Sequence, residues 1–422
     1  MDFIEFKKEI TKGTGKAFLM IKKNKNYTHP EIDKIILDAA KNNLSYDPQC
    51  EGSRAIYISH IISEYKNGNE ISNLLINYFK RMRKDDWGAF QVFELMKLFF
   101  LEKKIDINKI YKKAEWYITH YEDDDTPGIE ELIDLEKEKG FLFIAEVIGK
   151  IIEKNSDFVI NDWPILYFEE KHKLNANEEL KEESKKNKYV LNYLNNYEDN
   201  HIGKLENQKK RKTVDEIIDI INIREKSYPR FWCKNANTKE LLVLADFLDS
   251  LKDEEKIKTT IQLLSVAEYP KNYQNLLKFL DSKDENILRY TLRALSRFKN
   301  NEIRNIALEY LNKHNIESLI MLKNNFLESD CDLIYKKLKE IKNPFDFHDW
   351  AKYITDIFKI NKTKRSKEIL EYIYRKLYCG ICRTDVVKAM MFNNLITDEI
   401  KEETKYDSFI ETREIFTTTN EI

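Results

Sequence analysis

Three short segments carry residue types that could do chemistry. KGTGK at 12–16 looks like a phosphate loop. Such a loop needs a glycine five positions before Gly15 and a hydroxyl after the lysine, because backbone N–H groups cradle the phosphates and the hydroxyl holds magnesium. Those positions are Ile10 and Ala17, so a flexible turn between helices is expected. EDDDTPG at 122–128 offers oxygen ligands, with Asp123, Asp125 and Gly128 at positions 1, 3 and 6 of a calcium loop. Pro127 stands where position 5 needs an oxygen, and Asp134 replaces the bidentate glutamate at position 12. The expectation is a solvated loop, with Thr126 and Pro127 as N-cap and first residue of the next helix. CGIC places Cys379 and Cys382 at redox or metal spacing. A redox pair of that type sits in a βαβ unit, and zinc needs a second ligand pair. Here apolar helical stripes flank the motif (Ile369, Leu370, Ile373 and Leu377 before, Val386, Val387 and Met390 after), and the nearest other thiol in sequence is Cys331. A tight helix–helix turn at Gly380 is expected, without zinc, holding a thiol pair that could oxidise adventitiously.

Other candidates are scattered. The seven histidines (His29, His60, His120, His172, His201, His314, His348) show none of the spacings of zinc proteases or zinc fingers, and no nucleophile-elbow motif occurs. No catalytic residue, metal or cofactor is expected. Three Asp-Trp pairs occur, Asp86-Trp87, Asp162-Trp163 and Asp349-Trp350. Trp87 and Trp350 fall on apolar helical stripes, the ordinary place of a core tryptophan, and Asp just before a helix is an ordinary cap or first-turn anion. Arg289, Arg293 and Arg297 recur every four residues, away from Leu288, Leu292, Leu295 and Phe298. They form a basic stripe, read either as a solvated face paired to carboxylates or as a contact strip for an acidic partner or a phosphate backbone. These three arginines are the candidate binding residues. KKRK at 209–212 reads as a solvated charge block.

The elements that must position these residues are helices. Gly (10) and Pro (7) make up about 4% of the 422 residues against a usual ~12%. Sheets and α/β folds need both at their turns, so their scarcity points to helices joined by short polar connections. The period agrees. Ile71, Leu74, Leu75, Tyr78, Phe79 and Met82 form one amphipathic stripe. The following segment is nearly all apolar, with Gln91, Glu94 and Lys97 as a narrow polar strip, which marks a helix buried on most sides. Gly140 reads as the C′ residue between two further helices. From about residue 213, helix starts fall roughly 13–20 residues apart, so a pair takes about 30–40 residues, the period class of helical repeats. More than about 65% helix and no sheet of three or more strands are predicted, against an ordinary third.

Composition bounds the rest. Hydrophobic residues reach 42% and charged residues 34%, which suits a large core under an extensive surface. A chain of this length exceeds one compact core, so one elongated array or two lobes are expected. Net charge is −2, which gives no global field for a polyanion or an anionic membrane. Five scattered cysteines fit a reducing compartment, no signal peptide or membrane span is read, and a cytoplasmic protein is expected. Domain boundaries follow the rhythm: an N-terminal helical lobe at 1–171, a charged, Asn-rich linker or excursion at 172–212, a C-terminal repeat lobe at 213–416, and a frayed tail at 417–422.

The stretches ENILRYTLRALSRF and NEIRNIALEYLNKH each place an apolar residue before an arginine (Arg289, Arg304), then small or apolar residues at helical spacing. They resemble HEAT-type helical repeats, best over about 254–312 and more weakly over 52–155 and 364–416. The resemblance implies an all-α solenoid of stacked antiparallel helix pairs. By analogy of fold, the leading expectation is a non-enzymatic scaffold whose concave surface holds a protein or peptide partner. The alternative is nucleic-acid binding, up to the activity of the HEAT-like alkylpurine DNA glycosylases, whose clefts combine Trp and Asp. The net charge counts against it.

Overall fold

The computed structural model describes residues 1–83, 87–121, 123, 125–155, 157–201, 211–223 and 229–417. Helices take 72% of them, and no strand occurs among the described residues. None of these helices is long and apolar enough to cross a membrane. Short polar residues start them: the side chains of Asp2, Asp284, Asn300, Asn343 and Thr397 each accept an N–H of the first turn. With glycine scarce, Lys137, Lys173 and Asn394 take positive φ at turns, 51, 57 and 57. This corrects one expected boundary. The turn falls at Lys137, and Gly140 lies inside the following helix.

The chain divides into two compact units. The first comprises residues 1–208, 378–384 and 397–422. Its helices begin with α1 (Phe3–Lys12), α2 (Gly15–Lys23), α3 (Pro30–Lys41), α4 (Pro48–Glu51), α5 (Ala55–Glu64), α6 (Gly68–Arg81) and α7 (Trp87–Leu101). They continue with α8 (Ile107–Tyr121), α9 (Ile129–Glu136), α10 (Glu138–Lys154), α11 (Trp163–His172), α12 (Ala176–Ser184) and α13 (Lys188–His201). Packing skips alternate helices: α3 lies on α5, α5 on α7, α7 on α9 and α9 on α11, while α8 lies on α10 and α10 on α12. One contiguous core runs from Phe6 to Leu194.

Residues 172–212, expected as a linker or excursion, contain α12 and α13. Val190, Tyr193 and Leu194 of α13 are buried in that core, and α13 packs along α10. The sparse apolar residues of this stretch fall on one helical face, which is sufficient for docking on a neighbour.

The second unit comprises residues 209–377 and 385–396. It holds α14 (Val214–Asn222), α15 (Thr238–Ser250), α16 (Glu254–Leu264), α17 (Gln274–Leu277), α18 (Glu285–Leu295) and α19 (Asn301–Asn312). Then follow α20 (Glu317–Asn325), α21 (Cys331–Glu340), α22 (Pro344–Phe358) and α23 (Lys367–Lys376). Here α14 packs on α16, α16 on α18, α18 on α20 and α20 on α22, and α19 packs on α21. The final helices are α24 (Gly380–Phe392), α25 (Asp398–Thr404) and α26 (Ile410–Glu414).

Residues 378–384 and 397–417, expected in the C-terminal lobe, belong with the first unit. A buried network holds them there. Arg383 and Asp407, both wholly buried, pair with Nε–Oδ2 and Nη2–Oδ1 distances of 2.6 and 2.9 Å. Ser408 N–H and Arg383 Nη2 both donate to the Gly13 carbonyl. Gly13 has φ 75, and a Cβ there would stand 2.1 Å from Ser408 Oγ, so no other residue fits this turn. The segment at 12–16 is therefore a turn, as expected, but a buried and hydrogen-bonded one.

Candidate functional site

A cleft of about 530 Å³ lies in the first unit, along the starts of helices that stack on one another. The first turn of α7 supplies Trp87 and Phe90, with Glu94 one turn further on. The start of α11 supplies Trp163, and α9 with its preceding loop supplies Asp125, Glu130 and Glu131. Ser53 and Gly52 before α5 complete the near wall. Because α5, α7, α9 and α11 pack in sequence, four separated stretches of chain face one space.

The supports are polar and buried. On α7, Gln91 has no exposure, and its amide nitrogen donates to the carbonyls of Ala39, Ala40 and Asn42 at the end of α3. Its oxygen accepts the Arg54 N–H at the start of α5. One side chain thus satisfies the orphan groups of two helix ends and fixes α7 against both. Gln91 was expected on a polar strip, whereas its amide is spent inside. The loop before α9 is held as closely. Gly128 has φ 103, a Cβ there would lie 2.6 Å from the Phe93 ring, and its N–H donates to Glu131 Oε2 at 3.0 Å. Gly128 is the N-cap of α9, so Thr126 and Pro127 fall outside the helix they were expected to open.

The aromatic wall is open. Trp87 is 48% exposed and Trp163 is 40% exposed, whereas Trp350 is 4% exposed. The core reading thus holds for Trp350 and fails for Trp87. Asp86 lies outside the described residues. Asp162 is at the N-cap of α11 but makes no cap hydrogen bond, and Asp349 lies within α22. Trp163 is anchored through its indole N–H, which donates to Glu130 Oε1 at 3.0 Å.

The carboxylates face these rings in an environment that disfavours their charge. Burial pushes Glu131 up to about 8, and it also raises Glu130 and Asp125 above the usual carboxylate range. Lys97, whose charge acts on Glu130 and Glu131, is itself held by Asp134 at 2.8 Å. Asp134 also takes Lys171 at 3.2 Å and the Tyr167 hydroxyl at 2.9 Å, which leaves it unsuited to the calcium-ligand role. Glu122 and Asp124 lie outside the described residues. Among the described residues no basic side chain lines the cleft. First-turn carboxylates offset the positive ends of helices, but here they do so where desolvation works against ionisation.

No known protein family, curated protein or solved structure matches this chain. The site therefore rests on its own geometry.

The arginine stripe falls elsewhere, in the second unit: Arg289 and Arg293 lie on α18, while Arg297, expected to continue the helical stripe, lies in the turn just after it. Arg293 makes a bidentate pair with Glu317, both distances 2.8 Å, and Glu317 is buried. Arg289 donates to Asn286 Oδ1 and the Tyr290 hydroxyl, and it lies over the Tyr290 ring. Arg297 is exposed. Of the basic block at 209–212, Lys209 and Lys210 lie outside the described residues, while Arg211 pairs with Glu240 at 3.0 Å and stacks on Trp232.

The cleft residues escaped sequence reasoning because they are spread from 43 to 163. A partial signal existed: Trp87 and Trp163 both belong to Asp-Trp pairs, but so does the buried Trp350.

Proposed function

We propose that the chain is a HEAT-like, non-enzymatic interaction protein whose cleft captures a basic segment of a protein partner, in keeping with a cytoplasmic scaffold. One observation carries this reading: two exposed tryptophans share a cleft with Glu94, Asp125 and Glu130, and no described basic residue lines it. A lysine or arginine side chain satisfies both halves of such a site. Its charge meets the ring faces and the carboxylates, and its methylenes cover apolar surface. The stacked order of α3, α5, α7, α9 and α11 supports the repeat reading, since each helix adds one wall element to a shared surface.

The same chemistry favours one second reading. An alkylated purine is flat and cationic, so stacking on Trp87 and Trp163 beside a carboxylate would suit it, as in a DNA-repair glycosylase. The carboxylate lining weighs against it, because a phosphate backbone needs basic neighbours.

Calorimetric titration of the full chain with a short Lys/Arg-rich peptide, a charge-matched acidic peptide, and duplex DNA carrying an alkylated purine separates the two. The first reading requires binding of the basic peptide alone, weakened by Trp87→Ala and by Trp163→Ala. Release of the alkylated base would replace it with the second, and silence toward all three ligands would remove both.

A further inference from the structure

The chain has five cysteines, none in a disulfide. The nucleophilic form of a cysteine is its thiolate, and three of the five are held as thiols. Burial pushes Cys233 up to about 12 and Cys331 up to about 11. The neighbouring Asp47 carboxylate raises the exposed Cys50. The other two, Cys379 and Cys382, lie together in the first unit. Their sulfurs are within 4.8 Å of one another, and Cys379 Sγ accepts the backbone N–H of Cys382 at 3.4 Å. Cys379 is almost wholly buried, while Cys382 is half-buried and reachable.

The backbone around them is pinned. Gly380 N–H donates to Glu51 Oε2 at 2.8 Å, and the adjoining Arg383 is locked to Asp407. The thiols therefore face each other on a fixed turn. Closing the gap to the ~2.05 Å of a disulfide bond asks for side-chain rotation and small local adjustment, with the helix kept in place.

We infer that Cys379 and Cys382 form a reactive dithiol that a hydroperoxide converts into an intrachain disulfide. In the first step the Cys382 thiolate attacks the distal peroxide oxygen. An S–O bond forms, the O–O bond breaks, and the leaving oxygen departs as an alcohol, or as water from hydrogen peroxide, after taking a proton. In the second step Cys379 sulfur attacks the Cys382 sulfenic acid. The S–S bond forms, the S–O bond breaks, and the hydroxide leaves as water with the Cys379 proton. Two thiols lose two electrons and two protons, and one hydroperoxide is reduced.

The test uses the full chain, treated with a few equivalents of hydrogen peroxide and then alkylated for peptide mass spectrometry. The peptide holding both cysteines should lose two hydrogens and resist alkylation, while Cys50, Cys233 and Cys331 remain alkylatable. Cys379→Ser should stall at a Cys382 sulfenic acid, trapped by a 1,3-dione, and Cys382→Ser should leave Cys379 alkylatable. The inference is overturned if the wild-type pair stays fully alkylatable, if oxidation falls on Cys50 alone, or if one copurifying zinc per chain protects both thiols. The wild-type result requires no variant to fold.

Discussion

Trp163 donates its indole N–H to Glu130 across 3.0 Å, although both residues face a cleft and Trp163 remains 40% exposed. The bond joins the starts of α9 and α11 and does two things at once. It orients the ring toward the cleft, and it offsets part of the cost that burial imposes on the Glu130 charge.

This pairing makes a graded prediction for ligand capture. Trp163→Phe keeps a ring but loses the anchor, and Trp163→Ala loses both. For a Lys/Arg-rich peptide, affinity should fall about threefold and about tenfold respectively, the range expected of a desolvated cation–π contact. Titration calorimetry on the two variants checks the order. Equal affinities across wild type, Phe and Ala would show that the ring takes no part.

Glu131 sets a pH dependence of stability. Burial lifts its carboxyl from 4.5 to about 8, so between those values the folded chain holds a proton that the unfolded chain has released. The stabilisation is complete below the unfolded value and is lost as pH rises through about 8. Across the intervening interval it amounts to a few kcal/mol, on the order of 1.4 kcal/mol for each pH unit crossed. Thermal melts of wild type and Glu131→Gln between pH 5 and 9 should therefore diverge, the variant gaining relative stability as pH rises. The amide still accepts the Gly128 N–H, so the cap survives the substitution. Parallel pH curves would rule the buried proton out.

The fold was legible where period and composition speak, and the site was not. Trp350, with Ala351, Ile354, Ile357 and Phe358, sits on one stripe and is buried as the spacing predicts. Trp87 also sits on a stripe, yet it is 48% exposed and lines the cleft. Gln91 was legible as polar yet not as buried, because its partners are backbone carbonyls some fifty positions away. Gly13 was legible as a turn and Gly128 was not, and the tight approach of Ser408 and Phe93 that demands glycine at the two positions comes from distant stretches of chain. Lys137 carries no local signal for a positive-φ turn.

The pair of Arg383 and Asp407 should dominate the stability of the first unit. Both are wholly buried, and removing one partner strands the other charge away from water. Asp407→Ala is expected to cost about 3–5 kcal/mol. Gly13→Ala should also destabilise, since it meets φ 75 and the Ser408 side chain together. Chemical denaturation followed by circular dichroism checks both. A shift under about 1 kcal/mol for Asp407→Ala would mean that the stranded arginine finds water or another partner.

The arginines on α18 and in the turn after it test a phosphate-binding surface against a structural one, and the three should behave differently. Arg293 is committed to Glu317 through two 2.8 Å contacts. Its loss leaves a buried carboxylate unpaired, so Arg293→Ala should cost about 1–2 kcal/mol of stability, the lower part of the usual range because the guanidinium is partly solvated. Arg297 is exposed, and among the described residues Arg289 hydrogen-bonds to near neighbours on its own helix, so their alanine variants should stay within about 0.5 kcal/mol of wild type. If the stripe tracked a phosphate backbone, duplex DNA would bind at micromolar strength near 150 mM salt, and each alanine would lower the salt slope by about one unit. A net charge of −2 and the engagement of the central arginine point to the opposite result, with binding weaker than the ~10⁻⁴ to 10⁻⁶ M of non-specific binders. A fluorescence titration of labelled duplex against wild type and the triple alanine variant decides it. Micromolar affinity that disappears in the triple variant would make α18 a nucleic-acid contact and would displace the basic-peptide reading of the cleft in favour of the DNA-repair one.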